Sequence, residues 1–294
     1  MSTLETRDTR PADARTLLAW AALMGVTLGV IYAPILRDLW SDWAHDDNYS
    51  HGFLVPLVTG YLLWTRRAAL RAAPLRTDVR ALWLLAPSLA LLLLGTAGAE
   101  YFLQRASLVG LVGGLLWFGC GPAWARLCLF PVSFLLFAVP VPYVLYYSAS
   151  FPLQQLAARA ATAALTGIGI PAVRVGNTIE LPNTSLEVAE ACSGLRSLVS
   201  LLAMGALFGR FGQDRAAKRW VLFLSTIPIA ILGNALRVFV TGLGVYLGGP
   251  RWAEGAVHEA MGLLVFAFAL VALLITSVLL RGLRIQPAPP PEAP

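Results

Sequence analysis

The stretch His258-Glu-Ala-Met-Gly-Leu-Leu-Val-Phe-Ala-Phe-Ala-Leu-Val-Ala-Leu-Leu-Ile-Thr-Ser-Val-Leu-Leu280 decides the class of fold. It carries no charged side chain from Met261 onward, and a helix of about 20 apolar residues crosses the hydrocarbon core of a bilayer. Seven further apolar runs lie at residues 17–36, 51–64, 81–98, 102–118, 122–139, 192–208 and 220–247. The pattern predicts an all-α polytopic membrane protein with about eight transmembrane helices.

The composition agrees with a membrane protein and argues against a soluble one. Apolar residues make up 57% of the 294 residues and charged residues 13%, whereas about a quarter of a soluble domain is charged. The formal net charge is +6, but the Lys and Arg residues lie in clusters between the apolar runs, which is how membrane topology is encoded. The lipid bilayer is therefore the predicted partner, and nucleic acid is not.

The distribution of positive charge predicts the orientation. Arg-rich connections alternate with connections that are acidic or weakly charged, and the Arg-rich set is Arg7/Arg10/Arg15, Arg66/Arg67/Arg71/Arg76/Arg80, Arg126, Arg210/Arg215/Lys218/Arg219 and Arg281/Arg284. The positive-inside rule then puts both termini in the cytoplasm, as an even number of spans requires. We expect a cytoplasmic segment 1–16, an integral domain 17–284 in the cytoplasmic membrane, and a Pro-rich cytoplasmic tail 285–294. The first run lacks a cleavage site typical of a signal peptide.

Cys192 is the most reactive group that this topology places at the outer face. The segment Glu190-Ala-Cys-Ser-Gly-Leu-Arg196 stands where a polar segment gives way to an apolar helix. We expect the thiol in the first turn of that helix, where the helix dipole favours the thiolate. His258 is predicted at the same membrane level, and Arg237 stands roughly 27 Å up its span at 1.5 Å per residue. Cys120 and Cys128 fall elsewhere, so the sequence offers Cys192 no disulfide partner outside.

The outer segment between the fifth and sixth runs has a different pattern. Residues 143–165 indicate an amphipathic or re-entrant helix near the interface. Alternating apolar positions at 173–181 around Gly176-Asn177, and again at 185–188, predict a small extracytoplasmic β-hairpin before the cysteine-bearing helix. Its edge could dock an extended peptide, or the hairpin could simply cover the helix ends.

Four motifs, taken together and in order, resemble the exosortase/archaeosortase family: Asp46 to Gly52, Glu190 to Ser197, Asn234 to Val238, and His258 with Gly262. The resemblance implies a short family form without a C-terminal soluble domain. It also implies a multi-spanning, transpeptidase-like cysteine protease. Its partners would be membrane-anchored proteins with a C-terminal sorting signal, made of a Pro-Glu-Pro-type motif, a transmembrane helix and a basic tail. By position, the resemblance makes Cys192 the nucleophile and adds Arg237 and His258 to the catalytic set.

The residue chemistry fits these roles. His258 could take the thiol proton and later protonate the leaving amine, and Arg237 could stabilise the oxyanion of a tetrahedral intermediate. Asn234 lies on the same helical face as Arg237 and could orient it.

Three further residues are candidate supporting groups. Arg196 could hold a substrate carbonyl or carboxylate, or favour the thiolate. Glu190 belongs to the cysteine motif, and His51 could line the substrate path or stabilise the outer loop. The spacing of His45, Asp47 and His51 fits no recognised set of metal ligands, so no metal and no cofactor are predicted.

Two other functional classes compete with the protease. A transporter or exporter of polysaccharide precursors would need polar residues through the membrane midplane, and most of the spans carry almost none. A non-catalytic assembly factor in extracellular polysaccharide synthesis would not need its cysteine. Purely structural roles are also open: Cys192 as a packing residue, Arg237 as an interface anchor, and His258 as an interface histidine.

Overall fold

A computed structural model describes residues 14–182, 184–188, 194–253 and 255–282. Cys192 and Glu190, most of the predicted N-terminal segment and the predicted Pro-rich tail therefore lie outside the described residues. The chain divides into two compact units between Pro142 and Tyr143.

The first unit is built around α5. Its helices are α1 (Ala14–His45), α2 (Leu54–Thr65), α3 (Arg67–Ala72), α4 (Leu82–Ala97), α5 (Tyr101–Cys120) and α6 (Pro122–Phe134). Helix α5 packs against α1, α4 and α6. Small residues let the backbones of α4 and α5 approach closely: a Cβ on Gly110 would lie 2.2 Å from the Ser88 hydroxyl, and one on Gly114 would lie 2.5 Å from Leu85 Cδ2.

Helix α1 is longer than its apolar run predicted, because it continues past residue 36 to His45. Two side chains in its last turns make contacts that favour a helix there. Asp42 Oδ2 lies 2.7 Å from Arg105 Nη1 on α5, and the Trp43 indole donates to the Ala138 carbonyl at 2.9 Å. Residues 37–45, which the sequence assigned to an acidic connection, are therefore helical.

The second unit is built around α9. It contains α7 (Tyr143–Gly167), β1 (Val173–Val175), β2 (Thr178–Leu181), β3 (Thr184–Glu187), α8 (Leu195–Gly212), α9 (Ala216–Gly248) and α10 (Gly255–Gly282). Helix α9 packs against α7, α8 and α10. One apolar core joins α8, α9 and α10 around Leu201, Leu222 and Leu273, and a second core joins α7, α9 and the sheet.

The sheet has three antiparallel strands in the order β1-β2-β3. The predicted hairpin is present as β1 and β2, joined at the pairs Val175–Thr178 and Val173–Glu180, and the run at 185–188 contributes a third strand. Ile179 and Leu186 are buried against Leu165 of α7 and Val238 of α9. The sheet thus covers the flank of α9.

Among the described residues, six helices are long and apolar enough to cross a membrane, or seven if α6 with its 3₁₀ extension and α7 form one broken span. The predicted second span is the weakest, because α2 has 12 residues, fewer than the roughly 17 that a transmembrane helix needs. The predicted class is confirmed: the protein is an all-α polytopic membrane protein with a small sheet, and its number of spans is close to the expected one.

Candidate active site

Helix α8 begins later than the sequence predicted. Its first residue is Leu195, and its N-cap is Gly194, whose φ is 82°. A residue in the left-handed region cannot belong to a right-handed helix, so glycine ends the preceding segment there. Cys192 precedes this cap, outside the described residues. Its expected place in the first helical turn therefore stays a prediction, while the described helix begins at Leu195.

Gly194 lies directly against Asn234 of α9. A Cβ at Gly194 would stand 2.8 Å from Asn234 Cγ, which is closer than any real contact of that kind. Asn234 is buried, with 7% of its surface exposed. The chain that follows the cysteine is thus held against the middle of α9 at the first residue of the Asn-x-x-Arg motif.

Arg237 and His258 are in direct contact. Arg237 Nη2 lies 2.8 Å from His258 Nε2, which joins α9 to the start of α10. A guanidinium only donates hydrogen bonds, so Nε2 is the acceptor and the imidazole carries its proton on Nδ1. Two residues that are 21 positions apart in sequence form one polar pair.

Space for the Arg237 guanidinium is provided by Gly262, one turn after His258 on α10. A Cβ at Gly262 would lie 3.1 Å from Arg237 Nη2 and 3.2 Å from Cζ. Arg237 Nε is buried and has no hydrogen-bond partner in the described part of the chain. A narrow cleft runs from the guanidinium between α8, α9 and α10, lined by Ser197, Leu201, Ala230, Gly233, Asn234, Arg237, Gly262, Val265, Phe266 and Ala269.

Two further predicted supporting residues lie in the described structure. Arg196 is exposed in the first turn of α8. His51 belongs to the first unit, where its Nε2 lies 3.1 Å from the Phe137 carbonyl. A carbonyl oxygen only accepts hydrogen bonds, so Nε2 is the donor. The imidazole of His51 thus connects the segment before α2 to the 3₁₀ turn after α6.

Sequence reasoning missed two buried polar residues. Thr241 follows Arg237 by one helical turn on α9, and its hydroxyl is buried without a hydrogen-bond partner in the described part of the chain. The spacing Asn234, Arg237, Thr241 at i, i+3 and i+7 is the signal that would have found it. Arg105 of α5 is buried and paired with Asp42, and an arginine within an apolar run was the visible sign.

Other reactive groups belong to the first unit. Cys120 and Cys128 are buried free thiols of the first unit. An apolar cavity of about 630 Å³ lies between α4, α5 and α6, with Arg126 on its wall. Across the described residues, no three His, Cys, Asp or Glu side chains are grouped as metal ligands.

The fold and this site define a class of protein: a polytopic helical membrane protein that pairs an arginine and a histidine from adjacent helices beside a glycine-capped helix start. Residues 43–275 match the family described as "Transmembrane exosortase". The chain belongs to the transmembrane exosortase family, which confirms the resemblance seen in its motifs. Comparison with curated proteins gave no match, and comparison with solved structures gave none either.

Proposed function

We propose that this protein is a membrane cysteine protease and transpeptidase that acts at the outer face of the inner membrane. Its substrates are proteins with a C-terminal Pro-Glu-Pro-type sorting signal. The observation that carries the proposal is the contact between Arg237 and His258, on the helix against which Gly194 packs at Asn234. Family membership supports the same class of reaction.

The covalent chain limits how far the proposed nucleophile can lie from Gly194. Cys192 precedes Gly194 by two residues, and two residues of chain span at most about 7 Å. Gly194 contacts Asn234, and Asn234 is three residues before Arg237 on the same helical face. The proposed mechanism uses this guanidinium and imidazole with the Cys192 thiolate, because they are the partners that a cysteine nucleophile needs.

The reaction has two steps, acylation of Cys192 and attack on the resulting thioester. In the first, the Cys192 thiolate attacks a substrate carbonyl, a C–S bond forms, and the peptide C–N bond breaks. The thiol proton passes through His258 to the departing amine, which leaves with the transmembrane part of the signal. In the second, a nucleophile attacks the thioester and releases Cys192; water gives hydrolysis, and an amine or hydroxyl group gives transfer.

Arg237 is the proposed oxyanion donor. Its buried Nε–H has no partner in the described part of the chain, so this donor can bind a developing negative charge without first breaking a bond. A preorganised donor in a site shielded from water is the usual means of stabilising a tetrahedral intermediate.

His258 can act as the base only when its Nε2 is released. In the resting structure that nitrogen accepts a hydrogen bond from Arg237 Nη2. We propose that substrate binding breaks only the bond from Nη2, while the Nε–H stays available to the oxyanion, and that Nε2 then takes the thiol proton. Catalytic hydrogen bonds commonly reach their final geometry only in the substrate complex.

The remaining candidates have supporting roles in this proposal. Asn234 positions the loop through Gly194, Arg196 attracts the acidic part of the signal, and Glu190 shapes the cysteine segment. His51 stabilises the outer segment of the first unit. None of these four groups is required to touch the reacting atoms.

Co-expression with a reporter that ends in the sorting signal tests the proposal. Cys192→Ala should leave the reporter full-length. Cys120→Ala, which removes a buried thiol from the first unit, should process it as the unmodified protein does. Full processing by Cys192→Ala would contradict the protease and favour a non-catalytic assembly factor.

A further inference from the structure

The outer edge of β1 presents one residue whose backbone is free to pair. In an antiparallel ladder, hydrogen-bonded pairs alternate with pairs whose N–H and C=O groups point away from each other. Val175 and Thr178 flank the two-residue turn and form a hydrogen-bonded pair, so the next pair, Arg174 with Ile179, does not bond. The N–H and C=O of Arg174 therefore point outward.

A second observation fixes this alternation independently. The Val188 N–H donates to the Asn177 carbonyl at 3.0 Å, which assigns residue 177 to the ladder with β3. The backbone N–H and C=O of Thr178 then form hydrogen bonds with β1, and those of Ile179 form hydrogen bonds with β3. Ile179 thus has no backbone bond to offer Arg174. Since β1 has three residues, Arg174 is its single residue whose backbone N–H and C=O point away from β2.

The side chains of β1 have a pattern of their own. Val173 and Val175 are 65% and 62% exposed and share one face of the sheet. Arg174 is half-buried on the opposite face, and its Nη1 donates to the carbonyl of Gly176 in the adjacent turn. The strand offers an edge with a cation at its centre and an uncovered apolar side chain on either side.

A proline-flanked acidic residue is complementary to this edge. In an added antiparallel strand, the residue opposite Arg174 gives both its N–H and its C=O to the pairing, and its two neighbours give neither. Proline has no N–H and is tolerated at such outward positions. A central glutamate would face the guanidinium of Arg174, because directly opposed side chains share a face, and the two prolines would lie beside Val173 and Val175.

We propose that the outer edge of β1 binds the sorting signal as an added antiparallel strand, with the acidic residue opposite Arg174 and its flanking prolines against Val173 and Val175. This inference rests on the proposed function for the identity of the peptide. Strand addition supplies affinity through backbone hydrogen bonds and specificity through alternate side chains.

The other edge of the sheet does not suit the same peptide. The outward-facing residues of β3 are Ser185 and Glu187, by the same alternation from Val188. A glutamate placed opposite Glu187 would meet a like charge, which is destabilising in a cross-strand pair. Charge therefore selects β1.

The position of the sheet connects this edge with the candidate active site. Val188, directly after β3, packs in the same core as Val238 of α9, and Val238 follows Arg237 in the chain. The sheet and the Arg237–His258 pair thus belong to one continuous part of the second unit. A signal bound at β1 is therefore bound to the same unit that contains the proposed nucleophile.

A charge exchange between protein and reporter tests the inference. Arg174→Glu should slow the processing of a Pro-Glu-Pro reporter at least about tenfold, because a hydrogen-bonded charge is lost and a repulsion replaces it. The same variant should process a Pro-Lys-Pro reporter faster than the unmodified protein does. Arg251→Glu is the matched control, since Arg251 is exposed and also donates to a nearby carbonyl; it should behave like the unmodified protein.

A binding measurement separates this inference from the proposed function. Purified Cys192→Ala protein should bind a fluorescent Pro-Glu-Pro peptide. It should bind much more weakly when the glutamate nitrogen is methylated, or when Val173 and Val175 are both changed to Ser. Arg174→Gln, checked for unchanged thermal unfolding, should weaken binding without the repulsion.

Each outcome decides one of the two claims. If Cys192 proves dispensable for processing while the peptide binds in an Arg174-dependent manner, the proposed function fails and the inference stands. If processing depends on Cys192 but Arg174→Glu acts like Arg251→Glu with both reporters, the inference is overturned. Binding that tolerates the N-methyl group also overturns it.

Discussion

Arg237 lies within an apolar helix and bonds to His258 through Nη2, while its Nε–H has no partner in the described part of the chain. A guanidinium can serve two acceptors at once because its donors form a rigid fork. An ammonium has no such fork. The pair is therefore built for arginine rather than for positive charge in general.

Arg237→Lys should reduce the rate of reporter processing by about 10²-fold, because a lysine lacks the fixed fork in which one donor holds His258 at rest and another is aimed at the oxyanion. The measurement is the initial rate of reporter cleavage in membranes. Arg251→Lys, at an exposed arginine, should keep the full rate. An Arg237→Lys rate equal to that of the control would show that Arg237 is an interface anchor.

Gly262 controls the position of the same guanidinium. Gly262→Val should place methyl groups where Arg237 Nη2 and Cζ now lie, since even a Cβ would come within 3.1 Å of Nη2. Processing should fall steeply, and Gly262→Ala should give a milder loss. Gly282→Val, on the same helix with no atom within 4 Å of an added Cβ, should leave processing unchanged; an equal loss there would point to helix instability instead.

Among single residues, the sequence identified candidates whose catalytic roles stay predictions. It singled out Arg237, His258 and Asn234, because polar groups in apolar helices stand out. It did not predict that His258 accepts a hydrogen bond through Nε2 from Arg237. That detail depends on how α9 and α10 pack, and no local pattern encodes it.

Among the elements, the start of α8 is the most consequential. Gly194 combines a left-handed backbone with contact against Asn234. The helix dipole acts over the first turn of a helix, and that turn begins at Leu195. The cap and its contact with Asn234 thus hold the start of α8 against α9.

Gly194→Ala should impair processing more than Gly169→Ala does. Both glycines have a positive φ, 82° and 87°, but an added Cβ meets Asn234 at 2.8 Å in the first case and nothing within 4 Å in the second. Backbone strain alone would cost both variants about 1 kcal/mol, so the difference isolates the contact with Asn234. The readouts are reporter cleavage and thermal unfolding in detergent, and equal effects would refute a role for the contact.

The limits of the helices were the least predictable feature of the elements. Apolar runs predicted α5 and α10 well. Helix α1, in contrast, continues to His45, because Asp42 forms an ion pair with Arg105 and the Trp43 indole donates a hydrogen bond to the Ala138 carbonyl. Tertiary contacts of this kind extend a helix beyond the part that its hydropathy marks. The strands at 173–181 were predictable, since alternation and the Gly-Asn turn are local signals.

For the molecule as a whole, the class follows from hydropathy, because every backbone polar group in a bilayer must be satisfied within a helix or a closed barrel. The packing of the helices follows from particular residues. Within the first unit, the ion pair between Asp42 and Arg105 joins α1 to α5, and the arginine side chain is 7% exposed.

Asp42→Asn should destabilise the first unit by about 1–3 kcal/mol, less than a fully buried pair would, because it leaves a buried arginine charge unpaired while Asp42 itself is 37% exposed. Thermal unfolding in detergent measures the change. Asp38→Asn on the same helix is the control: the Asp38 side chain is exposed, and its change should shift the unfolding temperature little. Stability should return in a variant with Asp42→Leu and Arg105→Met together; equal shifts for the two single variants would contradict the structural role of Asp42.

Cys192 as an acyl-forming nucleophile is the central claim, and trapping of the thioester tests it most directly. Membranes that contain the protein and a tagged reporter are treated with hydroxylamine, which converts a thioester to a hydroxamate, and the reporter product is analysed by mass spectrometry. The account predicts a reporter hydroxamate at the cleavage site with the unmodified protein and with Cys120→Ala, and none with Cys192→Ala. A hydroxamate, or undiminished cleavage, with Cys192→Ala would contradict it.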